Sequence, residues 1–199
     1  MTYVARRTEG EGPLAFTFHG TGGTEDQFHG FAEELFPGAS VVSPRGDVSE
    51  FGAARFFRRT GEGVYDMDDL ARATAQMGDF IANESARLTP TATLGFGYSN
   101  GANILASVSF ARPELFDRIA LLHPLIPFDP APQPGLAGCG VLITAGERDP
   151  ICPPDQTRAL AAYYADQGAE VELVWHGGGH EIARNEIDAL AAFFATAPA

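Results

Sequence analysis

The chain has 199 residues, 45% of them hydrophobic and 20% charged, with 13 basic against 26 acidic side chains and a formal net charge of −13. That composition suits one globular domain over residues 1–199 with a single core, while the acidity disfavours nucleic acid and anionic membrane surfaces as partners. Every basic residue is an arginine, so chemistry built on a P-loop lysine, a Schiff-base lysine or a Ser-x-x-Lys centre is excluded.

The first ten residues, MTYVARRTEG, carry the Arg6-Arg7 pair with no apolar segment after it. No export signal is expected there, and Cys139 and Cys152 read as free thiols of a cytoplasmic protein. No apolar run approaches the ~18 residues of a membrane span, so no membrane insertion is expected. The first strand is read at Leu14–Phe18 and ends in His19-Gly20, followed by a glycine-rich loop leading into a helix. Further strands are expected at Ser40–Ser43, Thr91–Phe96, Ile119–Leu122, Val141–Thr144 and Val171–Trp175. Most are nearly continuous apolar runs, the pattern of strands covered on both faces.

Helical segments lie between the strands. From Asp66 onward, Met67, Leu70, Thr74, Met77 and Ile81 recur at spacings of three and four, marking one amphipathic face. Asn100–Ala111 is Ala-rich and stopped by Pro113, Pro153–Gln167 begins with prolines and ends at Gly168, and a last helix runs from about Glu181 to Phe194. The Pro/Gly-rich stretch Pro124–Gly140 is too short to separate domains, and it and Asp47–Gly63 are the excursions long enough to cover a site. Alternating strands and helices predict an α/β fold, a mostly parallel sheet with helices on both faces and no lid domain. The chemistry of such a sheet belongs at the carboxyl ends of its strands.

At those ends the sequence places a constellation. Gly97-Tyr98-Ser99-Asn100-Gly101 joins a strand to a helix, the context in which G-x-S-x-G forms a nucleophile elbow around Ser99. The glycines are expected where strand and helix cross too closely for side chains. A serine hydroxyl needs a base, and five histidines compete for the role: His19, His29, His123, His176 and His180. In the stretch WHGGGHE, His180 follows a flexible triple glycine and precedes a helix, whereas His176 continues the strand as a packing or hydrogen-bonding residue. The pair is spaced i, i+4, but three glycines between them oppose a helical ligand pair, so no metal is expected. For the acid, Asp149 stands past the end of Val141–Thr144 and is preferred to the nearer Glu147. An oxyanion needs two backbone N–H donors. Asn100 supplies one at its helix start, and Thr21 the other, with Gly22 as its alternative.

With these motifs the chain resembles the bacterial phospholipase/carboxylesterase family of small α/β-hydrolases, which also contains the acyl-protein thioesterases. That family carries H-G-L-G-D and G-F-S-Q-G-G where this chain has His19-Gly20-Thr21-Gly22-Gly23 and Gly97-Tyr98-Ser99-Asn100-Gly101. The likeness covers nearly the whole chain. With SPRGDVSEFGAARFFRRTGEGVYD and DPICP it is closest to the branch labelled quinone or aromatic-stress hydrolases. The resemblance implies a Ser99–His180–Asp149 triad, Thr21 and Asn100 as oxyanion donors, no cofactor, a small-molecule ester as substrate, and room for a homodimer. Departures at Thr21 and Asn100 set it apart from the thioesterase pattern.

Two readings of ARFFRR (Ala54–Arg59) stay open. Phe56 and Phe57 can wall an acyl pocket while Arg55, Arg58 or Arg59 meets a substrate carboxylate; or the rings pack the core and the arginines pair with surface acids. Ile151, beside Asp149, is a further candidate for the acyl pocket, and Gly22 is counted among the pocket residues as well. The expected activity is hydrolysis of short-chain carboxylic esters through an acyl-enzyme. The rival readings are a lysophospholipase or acyl thioesterase, which needs a long apolar channel, and a hydrolase fold that binds a small molecule without turnover.

Overall fold

The computed structural model describes residues 3–61 and 63–196. In chain order the strands are β1 (Ala5–Thr8), β2 (Leu14–Phe18), β3 (Ser40–Pro44), β4 (Val48–Glu50), β5 (Ala53–Arg55), β6 (Arg59–Gly61), β7 (Val64–Tyr65), β8 (Thr93–Tyr98), β9 (Arg118–Leu122), β10 (Gly140–Gly146) and β11 (Glu170–His176). The helices are α1 (His29–Leu35), α2 (Met67–Leu88), α3 (Asn100–Ala111), α4 (Pro154–Asp166) and α5 (Arg184–Ala195). Seven strands form one sheet in the order β1-β3-β2-β8-β9-β10-β11, parallel throughout except for the antiparallel edge strand β1.

The apolar runs read from the sequence are the central strands. Every residue of β2, β3 and β10 is buried, because helices cover both faces. On one face α2, α3 and α4 contribute Leu70, Met77, Ile104, Leu105, Leu160 and Tyr164 to a core with Phe16, Phe18 and Ile143. On the other, α1 and α5 bring Ala32, Leu190, Phe193 and Phe194 against Val41, Leu94 and Leu142. The edges look different: β11 alternates exposed Glu170 and Glu172 with part-buried Val171 and Leu173, and β1 is Ala-Arg-Arg-Thr. Charges on an outer strand discourage pairing with another chain; here Arg7 is also tied to Glu84 of α2 at 2.6 Å.

The predicted face of α2 is correct at Leu70, Met77 and Ile81, but Met67 is half exposed at the first turn. Asp66 caps this helix by accepting the Asp69 N–H at 3.1 Å. The excursion after β3 folds into two small hairpins, β4–β5 and β6–β7. Among the described residues no helix is long and apolar enough to cross a membrane.

Candidate active site

Ser99 lies between β8 and α3 with φ 53° and ψ −116°, a left-sided conformation that costs a non-glycine residue about 1–3 kcal/mol. The surroundings enforce it. The Ser99 N–H donates to Leu122 O at 2.9 Å and its carbonyl accepts the Asn103 N–H. A Cβ on Gly97 would stand 2.5 Å from Gly101 O, and one on Gly101 would overlap Phe18 O. Both glycines are therefore required by close approach of β8, α3 and β2.

His180 Nε2 lies 2.9 Å from Ser99 Oγ, and its Nδ1 lies 2.7 Å from Asp149 Oδ2. The triple glycine lets the chain turn back after β11, and the loop is held by Tyr98 Oη–H donating to His180 O at 2.6 Å and Arg148 N–H donating to Gly178 O at 2.9 Å. Asp149 is buried just past β10, where its Oδ1 accepts the N–H groups of Ile151 (2.8 Å) and Cys152 (3.0 Å). Burial alone would raise the Asp149 pKa. Hydrogen bonds from His123, His180 and the two backbone N–H groups outweigh it and keep the carboxyl below its ordinary range. Glu147 is exposed, its backbone tied to His176 O.

The loop after β2 brings Thr21 opposite the start of α3. Gly22 donates its N–H to Ala54 O at 2.9 Å, which removes it as the alternative oxyanion donor. The N–H groups of Thr21 and Asn100 have no protein acceptor among the described residues. His19 clamps this loop: Nδ1 donates to Gly20 O (2.7 Å) and Nε2 accepts the Gly46 N–H (2.9 Å). Burial pushes its pKa down, so the ring serves as a neutral brace.

A cavity of about 320 Å³ opens beside Ser99, lined by Thr21, Arg55, Asn100, Ile151 and His180 among others. Phe56, for which the sequence leaves pocket wall and core open, and Gly22, expected at the pocket, do not line it. Phe56 is fully buried with its ring 5.8 Å from Phe18 and 4.6 Å from His19, and Phe57 packs on Tyr65. Both rings belong to the core because the backbone of the excursion runs inward here, where Phe56 N–H donates to Asn100 Oδ1 at 2.8 Å. Phe51 is fully exposed. A larger apolar groove, about 560 Å³ and lined by Met67, Phe110 and Phe128, contains none of these strand-end groups.

Two residues that the sequence reading left unused complete the site. His123 follows β9, has φ 52° and is wholly buried. Its Nδ1 lies 2.9 Å from Asp149 Oδ2, the oxygen that also meets His180. Its Nε2 faces Glu186 Oε1 at 3.0 Å, an ion-pair distance with off-line hydrogen-bond geometry. Glu186 is also wholly buried, and its Oε2 accepts the Ala183 N–H at 2.5 Å. Burial opposes charge on both groups. The two carboxylates nevertheless hold the His123 pKa above the ordinary histidine range, and His123 with the Ala183 N–H holds Glu186 below the carboxylate range. The result is a buried row, Asp149⁻–His123⁺–Glu186⁻, directly behind His180.

His176 closes the row. Its Nδ1 accepts the Gly178 N–H at 3.0 Å, so its proton is on Nε2, 3.4 Å from Glu186 Oε2. His123, His176 and Glu186 are close enough together to suggest a cation site. Their protons argue otherwise: His176 presents N–H rather than a lone pair, and His123 needs both nitrogens protonated to face two carboxylates. Cys152, 3.9 Å from His180 Nδ1, is no competing nucleophile, since burial and the Asp149 charge push its thiol far above the ordinary range.

Strand order, elbow and loop placement define the fold as an α/β-hydrolase. MhqD of Bacillus subtilis (strain 168), provisionally named a hydrolase, is 37% identical over 172 residues, covering 85% of this chain and 86% of its own. The structure of protein Atu2452 of Agrobacterium tumefaciens str. C58, described as of unknown function, is 54% identical, with TM-score 0.92 over 97% of this chain and 96% of that one. A Bacillus cereus carboxylesterase is 32% identical, with TM-score 0.89 over 97% and 93%. No protein-family model matches. The chain belongs to the small α/β-hydrolase family of carboxylesterases, and it is an enzyme of that esterase class.

Proposed function

We propose that the protein hydrolyses short-chain carboxylic esters through an acyl-enzyme on Ser99. The observation that carries this reading is the unbroken contact series from Ser99 Oγ to His180 to Asp149 at 2.9 and 2.7 Å, beside the unpaired N–H groups of Thr21 and Asn100. As Ser99 Oγ bonds to the ester carbon, its proton passes to His180 Nε2, and the carbonyl electron pair moves onto the oxygen facing the two N–H groups. Asp149 fixes the His180 tautomer with the proton on Nδ1. Collapse breaks the bond to the alcohol oxygen, which leaves with the proton from His180. Water then repeats the sequence, releasing the acid and restoring the serine.

The small volume of the cavity, about 320 Å³ with Tyr65, Leu125, Arg55 and Ile151 in its lining, supports short acyl groups. Each methylene that fits contributes up to ~0.8 kcal/mol, and each one beyond the wall contributes nothing or clashes. We expect a fluorophosphonate to label wild-type protein once and folded Ser99→Ala not at all. The variant should retain only the residual rate due to the oxyanion donors. We expect kcat/KM for p-nitrophenyl esters to peak between acetate and butyrate and to fall roughly tenfold by octanoate. A profile still rising at decanoate would favour a lysophospholipase or acyl thioesterase; labelling without turnover of any ester would favour a binding protein.

A further inference from the structure

Acids outnumber arginines two to one in this chain, and several arginines have two carboxylates each. Arg72 meets Asp47 and Asp69, Arg87 meets Glu9 and Glu84, and Arg58 meets Asp66 and Asp69. The wall of the Ser99 cavity reverses that ratio. Arg55 and Arg59 both line it, no carboxylate does among the described residues, and the two guanidinium groups share one partner, Glu50. Arg59 takes most of it, with Nε at 2.9 and 3.1 Å from the two carboxylate oxygens. Arg55 keeps only a 3.6 Å contact from Nη1.

Arg55 is 4% exposed. Of its five N–H donors, Nε serves Phe57 O at 3.3 Å and Nη1 serves Thr21 Oγ1 at 2.7 Å, while Nη2 has no acceptor among the described residues. The Nη groups of Arg59 likewise have none among them. The free Nη2 of Arg55 is not among the enclosed unpaired polar atoms; it is open to the cavity that Arg55 lines, where a ligand anion can take it up in a charge-assisted hydrogen bond. It sits in the same cavity as the nucleophile, on the residue that touches the oxyanion loop. Burial and the neighbouring Arg59 charge act to lower the Arg55 pKa, as expected of a site with surplus positive charge.

We infer that the esters this site selects carry a carboxylate, which Arg55 and Arg59 bind while the ester carbonyl sits at Ser99. The inference rests on the serine-esterase reading above and adds the substrate class: half-esters of dicarboxylic acids, or esters of hydroxy- or phenol-carboxylic acids. Two arginines on one wall suit the two oxygens of a carboxylate better than a neutral chain end of the same shape.

The test compares isosteres that differ in charge, monoethyl succinate with ethyl 4-methylpentanoate (charge on the acyl side) and 4-acetoxybenzoate with 4-isopropylphenyl acetate (charge on the alcohol side). Rates are followed by pH-stat at low salt. We expect the charged member to have the higher kcat/KM, by roughly tenfold, in at least one pair. That ratio should fall by about the same factor in Arg59→Met, whose parent side chain is one-third exposed, and again in Arg55→Met, with circular dichroism and melting temperature checking that each variant is folded. It should also shrink as salt is raised. Preference for the neutral ester in both pairs, with ratios that neither substitution moves, overturns the inference while leaving the esterase reading standing. A readout that needs no turnover separates the two: calorimetric titration of Ser99→Ala with succinate. Saturable binding lost in Ser99→Ala/Arg59→Met supports the carboxylate site even if no ester is cleaved, and absence of succinate binding overturns it.

Discussion

Glu186→Gln changes one charge in the buried row behind His180 without changing its shape. In the wild type Glu186 Oε1 faces His123 Nε2 at 3.0 Å, and Asp149 Oδ2 faces His123 Nδ1 at 2.9 Å, so the ring carries a proton on each nitrogen. An amide NH2 in place of Oε1 needs an acceptor on Nε2. The ring then becomes neutral and keeps its one proton toward Asp149. The His123 and His180 rings are 5.1 Å apart. Two unit charges at that separation interact by about 3 kcal/mol at an effective dielectric constant near 20. The Glu186 charge, which lies beyond the His123 ring and is lost in the same substitution, cancels part of this, and solvent at the 18% exposed His180 side chain removes more. The nearer charge, His123⁺, decides the sign. We expect the acid limb of kcat/KM, read at the isosbestic wavelength of p-nitrophenol, to move to higher pH in Glu186→Gln while the high-pH plateau survives. Glu181→Gln, which removes an exposed carboxylate from the same loop, is the control. An acid limb unmoved in folded Glu186→Gln would refute the assignment of a charged His123.

Asp149→Asn should lower kcat by about 10⁴-fold by favouring the wrong His180 tautomer, whereas Glu147→Gln should be mild; equal losses in steady-state assays would leave the acid unassigned. His180→Ala should abolish turnover, while His176→Ala should act mainly on melting temperature because its contact is with Glu186. The buried row also fixes how stability depends on pH. Asp149 and Glu186 have depressed pKa values, so their contribution is present above the unfolded carboxylate values and is lost as pH falls through the folded ones. His123 is raised, so its contribution is complete below the unfolded value and is lost as pH rises through the folded one. Scanning calorimetry of Ser99→Ala should place the optimum between about pH 4.5 and 6.5, with a decline above it that Glu186→Gln flattens.

The sheet and the meeting of Ser99, His180 and Asp149 are legible in the sequence because both rest on simple rules. β2, β3, β9 and β10 are apolar runs since both faces are covered, and Ser99, Asp149 and His180 follow their strands where a parallel sheet exposes its ends. β1 escaped notice because Ala-Arg-Arg-Thr has no apolar periodicity; antiparallel pairing with β3 and the Arg7–Glu84 ion pair hold it. Phe56 and Phe57 were ambiguous because hydrophobicity does not distinguish a pocket wall from a core. His123 carried the same signal as the triad residues, lying directly after a strand, and only the strand-end rule applied to β9 would have singled it out. Glu186 had a subtler mark. It precedes Leu190 by four residues and Phe193 by seven, a carboxylate on the apolar stripe of α5. On that stripe a charge must find a buried partner.

What unites these parts is the first turn of α3. Ser99 follows β8, and its N–H donates to the carbonyl of Leu122, the residue before His123. The two non-glycine residues with positive φ at these strand ends are thus coupled through one hydrogen bond between β8 and β9. One residue on, Asn100 keeps an N–H without a protein acceptor among the described residues beside Ser99 and holds the Arg55–Phe57 segment through Oδ1. Asn103 accepts the Leu125 N–H at 2.7 Å and donates to Tyr65 Oη at 2.7 Å, while Tyr65 donates to Leu125 O at 2.5 Å. Both excursions are therefore tied to the helix that starts beside Ser99. Each such tie contributes about 1 kcal/mol net, enough together to offset the strain at Ser99 and His123. The two excursions carry Arg55, Arg59 and Leu125, the walls of the cavity, whereas Ser99, Asp149 and His180 are fixed by the sheet itself. The cavity walls can therefore change through residues 47–65 and 124–128 while Ser99, His180 and Asp149 keep their distances.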